Sequence, residues 1–319
     1  MPKKRSIFSV KCISFGAAID EFIDSRKALG CATATIENYR RILQKVWYKF
    51  IPSETPVQDI TLSEINAAIC KMRDSDRTDT TMQSYVNNMS IFMTYCAEKG
   101  YTTVTIPKYK ATTPIKETYT DAELKKLLKK PDMKHTDFTE FRTWVIINLL
   151  VNSGARAGTI RAIRNKDVDL QNGFLSYRHT KNKKTQIVPL CSEMISILKA
   201  YMHIRKGNNN DYLFVQVSGE PLTDRALSQS IARYNKRRGV EKTSVHMFRH
   251  TFARKFLLDC NGDAFRLQKL LGHSTLAMTK HYCEIYNADI LRDYDRYSPL
   301  HQMYTNNKKH VIKMRDDDS

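Results

Sequence analysis

The spacing of apolar residues predicts four helices in the first hundred positions, because apolar side chains recur at i, i+3 and i+4. Thr61 and Glu64 have the spacing of a capping box, which predicts a helix start at that point. Gly100 is expected to end the last of the four helices. Together they predict a small all-α domain. The predicted helices span 14–30, Thr33 or Thr35 to about 50, 62–73, and Thr81–Lys99.

A stretch without helical period separates this domain from the rest of the chain. Residues 101–118 contain two prolines and six threonines, which favours a linker. We assign residues 1–105 to the first domain, 106–118 to the linker, 119–299 to a second domain and 300–319 to a polar tail.

The second domain mixes helices with a short hairpin. Thr120 and Glu123 form another capping-box pattern. Two alternating segments, 174–179 and 186–190, are predicted to be strands joined by the basic turn TKNKK. The predicted fold class is therefore mainly α with a small β-hairpin or sheet. The predicted helices span 138–152, 192–205, 223–238, 246–259, 263–271 and 276–293.

Charge points to a polyanionic partner. The chain has 52 Lys and Arg against 33 Asp and Glu, a formal charge of +19 over 319 residues. The basic residues are spread along the chain, which favours a folded nucleic-acid surface over a solvated basic tail. Gly is scarce and no phosphate-binding G-x-x-x-x-G-K-[ST] loop is present, so the sequence gives no sign of ATP or GTP use.

Cysteine usage and hydropathy indicate a cytoplasmic protein. The seven cysteines are scattered, odd in number and without a C-x-x-C pair, as expected of free thiols in a reducing compartment. The basic N-terminus lacks the pattern of a signal peptide. The longest apolar run, Trp144–Val151, is far too short to span a bilayer, so no membrane association is expected.

One predicted helix carries polar residues where packing would favour apolar ones. Residues 244–257 read SVHMFRHTFARKFL, and His246 and Arg249 share a helix face at i, i+3. Four further elements lie in order around this helix. They are Arg156 in SGAR, Lys181 in the hairpin turn, His273 in LLGHST, and Tyr282 nine residues later.

This series resembles the tyrosine recombinase family, also called phage integrase-type site-specific recombinases. The family pattern is T-G-x-R, a hairpin Lys, H-x-x-R-H-T, L-G-H, and a Tyr nine residues on. Here the elements are Ser153–Arg156, Lys181, HMFRHT, Leu271–His273 and Tyr282. The first domain is also similar to the family's core-binding domain, through TIENY at 35–39 and Thr81 with Phe92 eleven residues later.

The resemblance implies metal-free cleavage of duplex DNA through a 3′-phosphotyrosine. The hydroxyl of Tyr282 attacks phosphorus, which conserves bond energy for rejoining. Arg156 and Arg249 stabilise charge on the nonbridging oxygens, since each presents a planar fork of donors that stays charged. No cofactor and no metal ion are expected.

The remaining catalytic roles concern protons. Lys181 is the candidate general acid for the 5′-oxygen leaving group, with Lys183 and Lys184 as competitors. His246 accepts the Tyr282 proton or orients its hydroxyl. His273 donates a hydrogen bond to the phosphate. His250 is expected to support the site by bonding a backbone group or a carboxylate.

Two positions depart from the family pattern. Gln186 stands where the strand after the hairpin usually has Arg. Thr159 stands where an acidic residue usually follows the first Arg by three positions, and Asp167 or Asp169 is a possible substitute. A zinc site is a minor alternative, because His246 and His250 are spaced i, i+4, with Cys260 or His273 as a third ligand.

The resemblance also implies that two helices of the first domain contact DNA. Their polar residues, Asn88 among them, would reach base edges or phosphates. A solvated helix face is the alternative for Arg40, Arg41 and Lys45. The candidate DNA-binding residues are Arg40, Arg41, Lys45, Thr81, Gln83, Ser84 and Asn87.

By resemblance, the two domains form a C-shaped clamp around DNA, and four protomers exchange strands through a Holliday junction. An accessory DNA-bending or directionality protein is a possible partner, and the tail is expected to dock on a neighbouring protomer. Because SGARAGTI departs from the housekeeping resolvase pattern, we expect integration or excision of a mobile element. Chromosome-dimer resolution and DNA inversion are the alternatives.

Three other functions are compatible with parts of the sequence. A type IB topoisomerase uses similar residues, but the core-binding resemblance and L-G-H argue against it. A DNA-binding regulator without catalysis should lack one of the six catalytic residues, and none is missing. A metal-dependent nuclease needs clustered carboxylates, which are not found near these motifs.

Overall fold

The computed structural model describes residues 12–112, 117–178, 185–260, 262–276, 278–279, 298 and 300. The chain divides into two compact units, Met1–Pro114 and Ile115–Ser319. Part of the segment assigned to a linker lies on the first unit. Ile106 is buried in its core, and the Thr112 backbone N–H donates to Asp79 Oδ2 at 3.1 Å.

The described part of the first unit contains four α-helices. The capping box of Thr61 and Glu64 is present, and the helix it starts has the predicted bounds. The fourth helix begins earlier than predicted, because Thr78 rather than Thr81 accepts the exposed backbone N–H. The second helix ends before residue 50, where a 3₁₀ turn at Trp47–Lys49 places Trp47 in the core. The helices are α1 (Phe15–Ala28), α2 (Thr33–Lys45), α3 (Leu62–Arg73) and α4 (Asp79–Glu98), with a second 3₁₀ turn at Val57–Asp59.

Aromatic residues form the centre of this unit. Phe92 meets Phe15 and Phe22 edge to face, with ring centroids 5.5 and 5.7 Å apart. Such contacts add stability beyond the burial of apolar area. The indole N–H of Trp47 donates to the Tyr85 carbonyl at 3.2 Å, so its polar atom is satisfied inside the core.

The second unit contains seven described helices and a small sheet. The Thr120–Glu123 capping box is present, and the predicted helices between 120 and 271 are confirmed to within one or two residues. The helix predicted over 276–293 lies almost wholly outside the described residues. The helices are α5 (Asp121–Leu128), α6 (Phe138–Ser153), α7 (Ala157–Ala162), α8 (Ser192–Arg205), α9 (Asp224–Arg237), α10 (Val245–Leu258) and α11 (Ala264–Leu271).

The sheet is antiparallel, with strand order β1-β2-β3. β2 pairs with β3 in a register that places Tyr177 opposite Gln186. β2 ends at Tyr177, before the predicted end at 179. No sequence pattern indicates β1, because a strand of two residues is too short to show alternation. The strands are β1 (Val168–Asp169), β2 (Phe174–Tyr177) and β3 (Gln186–Pro189), preceded by a 3₁₀ turn at Asn165–Asp167.

Helix α6 runs through the middle of the second unit. It is apolar around most of its circumference, as expected of a helix packed on several sides, and it contacts α5, α8, α9 and α10. A second, smaller apolar cluster of Ala253, Leu267 and Leu271 joins α10 to α11. Within the described residues, no helix is long and apolar enough to cross a membrane.

Candidate active site

Arg249 lies at the meeting point of three helices. Its side chain is buried, and only 5% of the residue's surface is exposed. Nη1 donates to the Gly154 carbonyl and Nη2 to the Leu271 carbonyl, each at 2.9 Å. These carbonyls belong to the C-terminal ends of α6 and α11, where helix dipoles place partial negative charge. The guanidinium of this polar residue therefore lies against the C-terminal ends of two other helices and donates a hydrogen bond to each.

Gly154 is required by its conformation and by its surroundings. It ends α6 in the left-handed region, with φ +58°. A β-carbon there would lie 2.5 Å from Phe252 Cδ1 and 2.9 Å from Leu271 Cδ2. Any other residue would therefore push α10 and α11 away from the carbonyl that Arg249 binds.

Ser153 connects this corner to the sheet. Its buried hydroxyl donates to the Leu149 carbonyl at 2.7 Å and accepts from the Tyr177 hydroxyl at 3.0 Å. Burial raises the pKa of Tyr177 to about 12, although the Ser153 hydrogen bond and the charge of Arg249 oppose the shift. Tyr177 is thus a neutral donor that fixes the end of α6 against β2.

Arg156 precedes α7 with an extended backbone and a partly exposed side chain. Its charge acts on His273, as described below. Among the described residues, its guanidinium makes no hydrogen bond, so its donors are available to an anion.

His273 completes the pocket around Arg249. Its Nε2 lies 2.8 Å from Arg249 Nη2, and its Nδ1 lies 2.9 Å from the Thr279 hydroxyl. Burial first, then the charges of Arg249 and Arg156, lower the pKa of His273 from 6.5 to about 4. The imidazole is therefore neutral at pH 7. Because Arg249 can only donate, we assign the imidazole proton to Nδ1 and the acceptor role to Nε2.

The structure describes only some of the other residues predicted to belong to the site. His246 lies exposed in the first turn of α10, three residues before Arg249. His250 is half-buried on the same helix. Lys181 and Tyr282 lie outside the described residues, as do Lys183 and Lys184. Of the six, the structure brings Arg249 and His273 into direct contact and places Arg156 within electrostatic range.

The two acidic residues suggested as substitutes at Thr159 are engaged elsewhere. Asp167 is buried and accepts from Arg178 Nε at 2.5 Å and from the Arg164 N–H at 2.9 Å. Asp169 accepts backbone N–H groups in its own turn. The contacts of these two carboxylates therefore do not support the hypothesis that Asp167 or Asp169 replaces the acidic residue missing at Thr159.

Three residues of the site were not singled out as site residues from the sequence. Tyr177 and Thr279 had no local signal, since their roles arise from contacts with Ser153 and His273. Gln186 was noted only as a departure from the family pattern. Its amide Nε2 donates to the Lys269 carbonyl at 3.2 Å and to the Leu270 carbonyl. In the described part of the chain, no three His, Cys, Asp or Glu side chains are grouped as a metal site would need.

The candidate DNA-binding residues lie on two helices of the first unit that pack together, α2 and α4. Arg40, Arg41 and Lys45 are exposed on α2, and Asn87 is exposed on α4. Gln83 and Ser84 are half-buried, and the Thr81 hydroxyl lies 2.9 Å from the Thr78 hydroxyl. The inclusion of Asn88 was wrong, because its side chain is buried and donates to the Ser84 carbonyl of its own helix at 2.7 Å.

Comparison with known proteins identifies relatives of nearly the whole chain. Residues 117–288 match the phage integrase family. The tyrosine recombinase XerD of Staphylococcus haemolyticus (strain JCSC1435) is 28% identical over 294 residues, covering 88% of this chain and 96% of the relative. The tyrosine recombinase XerC of Thermodesulfovibrio yellowstonii (strain ATCC 51303 / DSM 11347 / YP87) is 28% identical over 237 residues, covering 70% and 77%.

A solved structure shares the fold at lower identity. The crystal structure of a lambda integrase tetramer bound to a Holliday junction superposes with a TM-score of 0.68 and 19% identity. The match covers 88% of this chain and 80% of that one.

Gly154→Ala is expected to destabilise the second unit by about 2–5 kcal/mol. Left-handed backbone costs an alanine ~1–2 kcal/mol, and the contacts with Phe252 and Leu271 add about 1–3 kcal/mol of overpacking. Urea unfolding followed by Trp144 fluorescence, in a Trp47→Phe background, measures the loss. Gly158→Ala is the matched control, because Gly158 lies in α7 with open space around its Cβ position. Equal losses in both variants would contradict the steric argument.

His273 is expected to titrate with a pKa near 4 in the folded protein. Its stabilising effect is present above the unfolded pKa of about 6.5 and is lost as pH falls towards 4, because the unfolded chain takes up the proton first. Arg156→Gln should raise the folded pKa by removing a positive charge. NMR titration of the imidazole Cε1–H, assigned with a His273→Asn variant, measures both values. A midpoint at 6.5 in both proteins would refute the proposed electrostatic environment.

Proposed function

Because the chain belongs to the phage integrase family and is a tyrosine recombinase, we propose that it is a site-specific recombinase using a 3′-phosphotyrosine at Tyr282. The observation that carries the proposal is the preorganised Arg249, whose guanidinium is fixed by two helix ends and His273. A cation fixed before the substrate arrives does not need to be reoriented when charge develops on the phosphate.

The proposed reaction begins at the scissile phosphate, with Arg156 and Arg249 bonding its nonbridging oxygens. The Tyr282 oxygen attacks phosphorus as its proton passes to His246. The bond from phosphorus to the 5′-oxygen breaks, and Lys181 gives that oxygen a proton. A 5′-hydroxyl of the second DNA then attacks the phosphotyrosine and releases Tyr282. Since each step exchanges one phosphate ester for another, no nucleotide hydrolysis is required.

In this scheme the imidazole of His273 is initially neutral, and its Nε2 accepts a hydrogen bond from Arg249. A phosphate anion beside Arg156 and Arg249 offsets the positive charges that lower the pKa of His273. The phosphate therefore favours a protonated imidazole, which can donate to a nonbridging oxygen. The protonated imidazole then has the donor role expected from the sequence, and the Gly154 and Leu271 carbonyls still accept from Arg249.

We further propose duplex DNA as the partner and a tetramer on DNA as the active assembly. The formal charge of +19 and the exposed basic face of α2 support DNA binding. Arg40, Arg41 and Lys45 would contact phosphates, and Asn87 with its neighbours on α4 would contact base edges. The fold shared with a lambda integrase tetramer bound to a Holliday junction is compatible with this assembly.

Chromosome-dimer resolution is the role that the relatives favour. Matches named XerD and XerC extend along most of the chain. Integration or excision of a mobile element is the second candidate, because the first box SGARAGTI departs from the housekeeping resolvase pattern. The structure weakens that argument, since Ser153 supplies a hydroxyl at the position where the family has Thr.

Tyr282→Phe is expected to abolish a covalent protein–DNA adduct while leaving DNA affinity within about twofold, since the hydroxyl acts in the chemistry. The probe is a pool of nicked duplexes, enriched for binding from a randomised library and incubated in EDTA. Denaturing gels measure the adduct, and a gel-shift assay measures affinity. Tyr286→Phe is the matched control and should form the adduct. Persistence of the adduct in the Tyr282→Phe protein would mean that another residue is the nucleophile.

The cellular role predicts what deletion of the gene would do. A dimer resolvase is needed whenever recombination has joined two chromosome copies, so its loss should raise the fraction of cells with unsegregated chromosomes, and catalytically competent protein should restore the normal fraction. Microscopy of DNA-stained cells measures this, with Tyr282→Phe as the inactive control. Normal segregation together with loss of a circular excised DNA would instead identify a mobile-element recombinase.

A further inference from the structure

A side chain from the sheet closes the last turn of α11. Gln186, the first residue of β3, donates through Nε2 to the carbonyls of Lys269 and Leu270. The next carbonyl, that of Leu271, accepts from Arg249. Three consecutive carbonyls at this helix end thus receive donors from two side chains outside the helix.

The amide of Gln186 also lies directly against the residue before His273. A β-carbon at Gly272 would be 2.4 Å from Gln186 Oε1, and Gly272 has a φ of +62°. The His273 backbone N–H donates to the Gln268 carbonyl at 3.0 Å, so the turn that carries the imidazole continues the same helix end. Movement of this turn would therefore move His273.

The position of Gln186 in the sheet extends its effect to a second helix end. Gln186 is paired across the ladder with Tyr177, whose hydroxyl donates to Ser153 at 3.0 Å. Ser153 precedes Gly154, the other residue whose carbonyl binds Arg249. One cross-strand pair therefore contacts both helix ends that hold the guanidinium.

Helix α11 needs such a connection because its apolar contacts are limited. Leu267 and Leu271 pack with Ala253 in a cluster separate from the main core around α6. Helix ends fray where their carbonyls have no partner. The Gln186 side chain of β3 donates to this end and restrains it relative to the sheet.

We propose that Gln186 is a positioning residue for strand cleavage, which fixes the end of α11 so that Leu271 and His273 hold Arg249 in its reactive orientation. The proposal rests on the recombinase function proposed above. It requires two properties of residue 186, sufficient length to reach the carbonyls and an N–H donor. Methionine has the length without the donor, whereas arginine has both.

The test compares Gln186→Met with Gln186→Arg, and uses Ile187→Thr as the matched control because Ile187 is the next residue on β3 and is 63% exposed. The first measurement is the single-turnover rate of adduct formation on the enriched nicked duplexes at saturating protein. We expect Gln186→Met to slow this rate by about 10- to 100-fold, the loss produced by misplacing a reacting group. Gln186→Arg and Ile187→Thr should stay within about threefold of the unaltered chain.

The second measurement needs no DNA. In Gln186→Met the contact between Arg249 and His273 loosens, so the NMR titration midpoint of His273 should move from about 4 towards 6.5. Ile187→Thr should leave it unchanged, and Gln186→Arg, which adds a positive charge beside the turn, should leave it at about 4 or lower it further. Thermal melting confirms that each protein is folded at the assay temperature.

Two results would overturn the proposal. The first is a Gln186→Met protein with an unaltered rate and an unaltered His273 midpoint. The second is a rate loss matched by the lost folded fraction, with the His273 midpoint unchanged, which indicates a structural role alone. If the unaltered chain forms no adduct, the recombinase proposal fails, and the His273 midpoint still decides whether Gln186 positions this corner.

Discussion

The site depends on one buried cation that is stabilised by backbone carbonyls. Removing a guanidinium from water costs several kcal/mol unless its donors find acceptors. The ends of α6 and α11 supply acceptors with partial negative charge, and His273 supplies another. The same bonds define where three helices meet. The same hydrogen bonds therefore determine both the packing of the second unit and the position of Arg249, the proposed phosphate-binding group.

That solution explains the charge state of the neighbouring groups. Burial, and then the charges of Arg249 and Arg156, lower the pKa of His273 to about 4, so the imidazole is neutral at pH 7. Tyr177 remains protonated because it is enclosed between β2 and α6. The resting pocket therefore combines permanently charged guanidiniums with neutral polar groups. Such a site is suited to receive an anion, because the positive charge is already in place and little reorganisation is required.

Local sequence patterns predicted much of this architecture. They did not predict contacts between residues that are distant in the sequence. The capping boxes at Thr61 and Thr120 identified helix starts because both partners lie within one turn. The motif spacing identified Arg249 and His273, which the structure places in contact with each other. The start of α4 was misplaced, since Thr78 and Thr81 are equally good caps by composition. The contacts of Gln186 and Thr279 were beyond such rules, because their partners come from other elements.

Gly154 and Gly272, two of the glycines with a left-handed backbone, are expected to tolerate substitution less well than a glycine with open space around it. Gly154 and Gly272 each lie against side chains of another element, which leaves no room for a β-carbon. Gly158 has open space around it. At position 153 the hydroxyl makes both hydrogen bonds, so either serine or threonine can supply it. A sequence profile for finding distant relatives should therefore give more weight to Gly154, Gly272 and a hydroxyl residue at position 153 than to the other positions of the segment 153–160.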